Sequence, residues 1–347
     1  MLDNRRGQGW PVSIAPMMDR TDRHYRFFMR QMTAHTLLYS EMITTGAILY
    51  GDRSRFLDFS PQERPLVLQL GGDCPRDLAD CARIAQDWGY DEINLNVGCP
   101  SQRVQTGNFG ARLMAQPELV ARIVEAMRKA VQLPVTVKHR IGIDRCDRYE
   151  DMVHFVLTVS QAGVDRFIVH ARKAWLKGLS PKENRSIPPL RYQDVYRLKT
   201  EYPQLCIEIN GGVDSLKQVA AHLDRVDGVM IGRAAYEKPF IFASTDPVFY
   251  RSDRTIVSRE EVVERLLPYT ERMMAQGVPF SRISRHVLGL FAGQPGAKAW
   301  RRVLSQESHK PSAGPATFLR AMEQVPASVT RFRPGREFEP TVSVVGS

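Results

Sequence analysis

Up to Gly232, short apolar runs alternate with stretches whose apolar residues recur at helical spacing. Eight runs read as strands: Val12–Met17, Leu37–Ile43, Pro65–Gly71, Glu92–Val97, Val135–Ile141, Arg166–Ala171, Cys206–Gly211 and Gly228–Gly232. They are rich in Val, Ile and Leu, and several are almost continuously apolar, as expected of strands covered on both faces in a parallel sheet. Between them, Pro75–Trp88 stops before Gly89 and carries Leu78, Cys81, Ala82 and Ala85 at helical spacing. Pro117–Val131 opens on a proline, which suits a first helical turn, and Tyr149–Gln161 stops short of Gly163. Eight strand–helix units predict an α/β chain folded as a (β/α)8 TIM barrel, with an open doubly wound sheet as the alternative.

Beyond Pro247 the pattern changes, and no strand run stands out from Ser258 to Val325. Ser258 with Glu261 fits a capping box, and Val262, Val263, Leu266, Leu267, Tyr269 and Met273 follow at helical spacing before Gly277. Ser281–Phe291, Lys298–Ser305 and Ala316–Glu323 also read as helices. The expected organisation is a barrel over residues 1–245, a linker near Asp246–Arg254, an all-helical domain over 255–325, and a loosely ordered tail over 326–347.

Composition narrows the class. With 43% hydrophobic and 25% charged residues over 347 positions, the chain is neither disordered nor collagen-like and can bury a core. No apolar run approaches the ~20 residues of a membrane span, and Met1 to Trp10 carries no apolar signal core. The five cysteines are scattered without a C-x-x-C pair, which argues against disulfides or a metal site and for a cytoplasmic protein. Lysine and arginine outnumber acids 48 to 38, so a polyanion such as nucleic acid is the expected partner.

In such a barrel the active site lies where the strands end. Strand one ends at Ala15-Pro16-Met17, and strand three carries Gln69 before Gly71-Gly72. Strand four carries Asn94 and Asn96 and leads into Gly98-Cys99-Pro100. Strand five carries Lys138, His139 and Arg140, and strand six His170. Strand seven ends at Asn210-Gly211-Gly212 and strand eight at Gly232-Arg233. Any one of these could be a hydrogen-bonded core residue, but so many on one rim point to a site.

The glycines after strands seven and eight could cradle a phosphate on bare N–H groups, with Arg233 adding a charge-assisted contact; a plain tight turn fits Gly211-Gly212 equally. Neither G-x-G-x-x-G after a strand nor G-x-x-x-x-G-K-[ST] occurs, so a Rossmann dinucleotide site and a P-loop are not expected. Lys138, inside an apolar strand, needs either an electron-rich ring that gains negative charge on reduction or an ion pair. Cys99 could be a proton donor, a thiolate served by a base such as His170, or inert. The stretch Ser101–Ala111 after it reads as a mobile loop.

Two segments concentrate positive charge. Arg172 to Arg185 holds Arg172, Lys173, Lys177, Lys182 and Arg185 against Glu183, with Trp175 among them, on the side of the expected site. The helical region adds Arg282, Arg285, Lys298, Arg301 and Arg302. Together they favour a nucleic-acid substrate over a small anion.

Ser13-Ile14-Ala15-Pro16-Met17-Met18-Asp19 with Thr21-Asp22, and Glu92-Ile93-Asn94-Leu95-Asn96-Val97-Gly98-Cys99-Pro100-Ser101, resemble the tRNA-dihydrouridine synthases. Val169 to Leu176, Gly178 to Arg185 and Ile209-Asn210-Gly211-Gly212-Val213 resemble the branch of that family acting on uridines 20 and 20a. The resemblance, from about Trp10 to Glu323, implies an FMN-dependent (β/α)8 barrel with a helical C-terminal domain. It implies reduction of the C5–C6 double bond of a uridine in the tRNA D-loop, with NADPH reducing FMN and hydride then passing to C6. It carries FMN contacts onto Ala15, Pro16, Met17, Gln69, Lys138, His170, Asn210, Gly211, Gly212, Gly232 and Arg233. Cys99 would protonate C5, Asn96 would touch the uridine, and Lys182, Arg185, Lys298 and Arg301 would grip tRNA. A monomer without metal or membrane attachment is expected. The family has a small or Thr-like residue after the strand-five lysine, where this chain has His139, so the role of that side chain is open. The alternatives are a flavin barrel acting on a free pyrimidine or small enone, like dihydroorotate dehydrogenase, and a non-catalytic RNA-binding barrel.

Overall fold

A computed structural model of the chain describes residues 9–102, 104 and 107–335. All eight expected strands form: β1 (Val12–Ile14), β2 (Leu38–Thr44), β3 (Leu66–Gly71), β4 (Glu92–Val97), β5 (Val135–Arg140), β6 (Arg166–His170), β7 (Ile207–Asn210) and β8 (Gly228–Ile231). Each pairs in parallel with its neighbours in the order β1-β8-β7-β6-β5-β4-β3-β2. The ring closes between the outer two strands: Leu37 N–H donates to Val12 O and Ile14 N–H donates to Leu37 O. The fold is therefore a (β/α)8 barrel, and the open doubly wound sheet drops out.

Residues two apart along a strand share a face. Cross-strand partners Gln69 and Asn94, Asn94 and Thr136, Asn96 and Lys138, Arg140 and His170, and His170 and Asn210 therefore form lateral polar rows. Barrels of this kind usually fill with branched apolar side chains. Here Arg166 instead donates to both carboxylate oxygens of Glu92, at 2.6 and 2.7 Å, with Nε 2.8 Å from Glu208 Oε1. All three are buried, and burial pushes the Glu208 carboxyl up from its usual range. Thr136 links Glu92 to Asn94, so polar contacts climb from this triad toward the strands' carboxyl ends. The intervening Ile93, Leu95, Val137 and Val169 are fully buried as well, which is why the strands read as almost continuously apolar.

The expected helices appear as Pro75–Trp88, Pro117–Ala130 and Tyr149–Ser160. Gly89 ends the first at φ +92°, a left-handed conformation that glycine reaches without strain. The barrel strands lie in one compact unit comprising the chain up to Met18, Leu37–Val213 and Gln218–Gly232. Asp19–Thr36, Asp214–Lys217 and the chain from Arg233 form a second unit.

In the second unit, Arg259–Ala275 starts at the expected capping box, with Ser258 Oγ accepting from Glu261 N–H and Ser258 N–H donating to Glu261 Oε2. Ala297–Glu307 and Pro315–Met322 follow. The helix expected over Ser281–Phe291 is shorter, Phe280–Ser284. The chain then turns, and Gly289 lies where a Cβ would come 2.7 Å from Tyr236 O. The expected linker is also corrected at its start. Asp246 lies in the helix Thr245–Phe249, is buried, and accepts from Thr33 Oγ1, the N–H groups of Ala34 and His35, and Arg254. The start of the expected tail forms the short helix Ala327–Thr330 with Val329 and Thr330 buried; residues 336–347 lie outside those described.

Candidate active site

At the end of β4, Asn96 Oδ1 accepts from the N–H groups of both Gly98 (3.1 Å) and Cys99 (2.9 Å). Its Nδ2 donates to Gln69 Oε1, and Gln69 Nε2 donates to Asn94 Oδ1, so one amide ladder fixes the start of the cysteine loop. From the other side, Ala111 N–H donates to Cys99 O at 2.9 Å. Cys99 is thus held at both its backbone N–H and C=O. The mobile-loop expectation over Ser101–Ala111 fails at its far end, where Gly110 and Ala111 are buried in the short helix Gly110–Ala115; residues 103, 105 and 106 lie outside those described. Burial raises the Cys99 thiol above its ordinary value, against the Ser101 backbone hydrogen bond and the charges of Arg140, Arg185 and Lys138. It is therefore a thiol at neutral pH. Cys81 and Cys206 are buried, and burial lifts each to about 12.

Lys138, Asn210, His170 and the two glycines come together on the adjoining strands. Lys138 Nζ donates to Asn210 Oδ1 at 3.0 Å, and Asn210 Nδ2 donates to Met230 O. Among the described residues Lys138 meets no carboxylate, so the ion-pair alternative falls away. Burial pulls its ammonium down to about 7, with the Arg140 charge adding to the effect. Burial, reinforced by Arg140, Lys138, Arg172 and Arg185, likewise holds His170 well below the usual imidazole range. A neutral imidazole there could accept a proton, but the raised thiol argues against a standing thiolate at Cys99.

Gly211 and Gly212 adopt φ +118° and +75°. A Cβ on Gly211 would lie 2.7 Å from His170 Cδ2, and one on Gly212 would lie 2.7 Å from the Tyr192 hydroxyl, which donates to Gly211 O. The pair is a turn that only glycine fits. Ala15 is buried and donates from its N–H to Ile231 O, with Pro16 and Met17 following in coil. Gly232 directly follows β8, with nothing nearer than Ala15 Cβ at 3.9 Å to a Cβ placed on it. Arg233 is exposed and opens the helix Arg233–Glu237 in the second unit.

The charged segments are not uniformly available. Lys182 and Arg185 are exposed, whereas Lys173 lies 3.0 Å from Asp147 Oδ2 and 4.1 Å from the Trp175 ring centre. Lys298 and Arg301 are exposed on Ala297–Glu307, one turn apart, while Arg285 is engaged by Asp22 at 2.6 Å. His139 does not belong to the site. It sits between Phe155 and Phe167, and its Nδ1 donates to Arg140 O. Sequence reasoning placed no role on Arg140 or Asn184, both buried beside the site. The every-second-residue polar pattern Thr136, Lys138, Arg140 is the signal that could have found Arg140. Asn184 has no such pattern, since it lies in an irregular loop.

A closed parallel barrel whose polar rows end at a held thiol, a buried lysine and a glycine turn is the frame of a (β/α)8 enzyme. A family profile described as Dihydrouridine synthase (Dus) matches residues 13–327. The tRNA-dihydrouridine(20/20a) synthase of Synechocystis is 63% identical over 313 residues, spanning 90% of this chain and 94% of that protein. Those of Shewanella oneidensis and Escherichia coli (strain K12) are 58% and 55% identical, each over 87% of this chain and 90% and 87% of their own. A solved complex of 2-naphthoyl-CoA reductase with 2-naphthoyl-CoA is 11% identical and overlays with a TM-score of 0.52, covering 68% of this chain and 49% of that one; it shares the fold alone. The chain belongs to the dihydrouridine synthase family, whose enzymes are flavin-dependent. Among the described residues no helix is long and apolar enough to cross a membrane, and no cluster of acids, histidines and cysteines could hold a metal.

Proposed function

We propose that this chain reduces the C5–C6 double bond of uridine to dihydrouridine in the tRNA D-loop, at positions 20 and 20a, with FMN as its resident flavin and NADPH as the electron source. The supporting observation is the Cys99 thiol, kept protonated by burial and held at both backbone groups, beside a cradle that suits a flavin phosphate and ring. The fit is chemical. Gly211 and Gly212 leave N–H groups bare of side chain, and Lys138 is a buried amine, drawn down to about 7, whose partner is a neutral amide. Ala15, Pro16, Met17, Gln69, Lys138, His170, Asn210, Gly211, Gly212, Gly232 and Arg233 are assigned to hold the cofactor. Bound there, the flavin would supply the hydride for C6.

The protein supplies the rest. Cys99 Sγ–H gives its proton to C5, balancing the hydride so that the ring gains two hydrogens, and the thiolate left behind is neutralised from solvent. Asn96 keeps one amide N–H for a uracil carbonyl while its Oδ1 holds the Cys99 loop in place. The uridine must leave its stack to reach the barrel mouth. Lys182 and Arg185 beside the mouth, and Lys298 and Arg301 in the helical region 255–325, hold the tRNA phosphates. The chain works as a monomer in the cytoplasm. Incubation with NADPH and unmodified tRNA should add the mass of two hydrogens at positions 20 and 20a. Unchanged tRNA mass with full flavin loading would refute the reading.

A further inference from the structure

We infer that Tyr192 is a positioning residue for the phosphate end of the flavin: its hydroxyl fixes the Gly211 carbonyl and so aims the Gly212 N–H at the anion. This rests on the cofactor reading above. The Tyr192 hydroxyl donates to Gly211 O at 2.6 Å. That C=O and the N–H of Gly212 belong to one planar, trans peptide and point in opposite directions. Holding the carbonyl toward Tyr192 therefore turns the N–H away from it. Gly211 is buried and Gly212 exposed, so the N–H is within reach of a ligand. Among the described residues it donates to no backbone carbonyl.

The turn needs such a restraint. Glycine takes either sign of φ about as readily, so a peptide between two glycines can flip at little cost. The observed φ values of +118° and +75° are one choice among several. The Tyr192 hydrogen bond selects it. A Cβ on Gly212 would lie 2.7 Å from the same hydroxyl oxygen, so the turn is built closely against that atom.

The tyrosine is itself held. It opens the helix Tyr192–Glu201, and one residue earlier Arg191 N–H donates to Ala171 O, just past β6. Its ring meets His222 edge-on, with ring centres 4.7 Å apart. His222 Nδ1 in turn shares a 2.7 Å hydrogen bond with the Tyr196 hydroxyl. A phosphate accepts charge-assisted hydrogen bonds, which are stronger than those between neutral groups. An N–H already aimed at it needs no reordering on binding. The flavin ring takes no part in that contact. The hydroxyl should therefore matter for FMN and not for riboflavin, which has the same ring and chain without the phosphate.

The test loads full-length wild type and Tyr192→Phe with FMN or with riboflavin. Each is diluted, and the returning flavin fluorescence gives the release rate. Tyr192→Phe should release FMN on the order of 10-fold faster. Riboflavin release should change less than ~2-fold. The phosphorus NMR line of bound FMN should also shift in the variant, which a space-filling tyrosine does not require. Amide hydrogen exchange needs no variant: in wild type, FMN should slow exchange at Gly212 more than riboflavin does. Unchanged FMN release, equal acceleration of both flavins, or Gly212 exchange no slower with FMN than with riboflavin overturns the inference. Should Tyr192→Phe fail to fold, exchange in wild type decides alone. A wild type that takes up neither flavin refutes the cofactor reading, and the inference with it.

Discussion

In the proposed reaction Cys99 acts as an acid, and the burial that disfavours its thiolate supports that role. Cys99→Ala should keep the flavin and its reduction by NADPH but lose tRNA reduction on the order of 10²-fold, measured as dihydrouridine formed per turnover. Full activity in that variant would remove the thiol from the mechanism. The pH dependence has a fixed sign. Burial raises the thiol, so the proton is present through neutral pH and the rate should fall only on the alkaline side. His139, one residue from Lys138, behaves oppositely. It is 0% exposed among aromatic rings, burial holds it down to about 4, and its Nε2 has no partner among the described residues. Between its ordinary 6.5 and about 4 the unfolded chain binds the extra proton, so stability is lost as pH falls through that window. His139→Leu should recover on the order of 3 kcal/mol of that loss, read by denaturant unfolding at pH 4 and 7. An acid slope unchanged in His139→Leu would show that other groups carry it.

In the proposed site the strand ends and their turns are the elements that carry the chemistry. Gly211→Ala should cost flavin retention, because its φ of +118° is strained for alanine and the new methyl would meet His170 at 2.7 Å. The measurement is flavin content after dialysis; full retention would mean the turn does not hold the cofactor. The barrel was legible because the strands are rich in buried apolar residues, and β4, β5 and β7 add polar residues at alternate positions, so both signals survive in the sequence. Asn96, Lys138 and Asn210 were legible for the same reason. Two things were not. The helix over Ser281–Phe291 carries apolar spacing, but Gly289 packs closely on Tyr236 O, a tertiary contact that periodicity does not encode. Arg140 looked like one more rim charge, since only the folded chain brings Gly98, Lys173 and Asn184 to one guanidinium.

For the molecule as a whole, the excess of basic residues matters only where they are exposed. Lys173 is half-buried against Asp147, whereas Lys182 and Arg185 are exposed, which makes them the stronger candidates on the loop after β6. Replacing both by alanine should weaken tRNA binding and lower the salt dependence of log affinity by ~2 phosphate contacts' worth. An unchanged slope would place the tRNA elsewhere. The central claim is that one chain couples a flavin to a uridine in folded tRNA. The most direct measurement is an anaerobic visible spectrum of the purified protein, bleached with NADPH and then mixed with unmodified tRNA. The oxidised flavin bands should return with tRNA and not with free uridine. A yellow, bleached protein that free uridine reoxidises and tRNA does not, or a colourless one that takes up no FMN, would contradict the account.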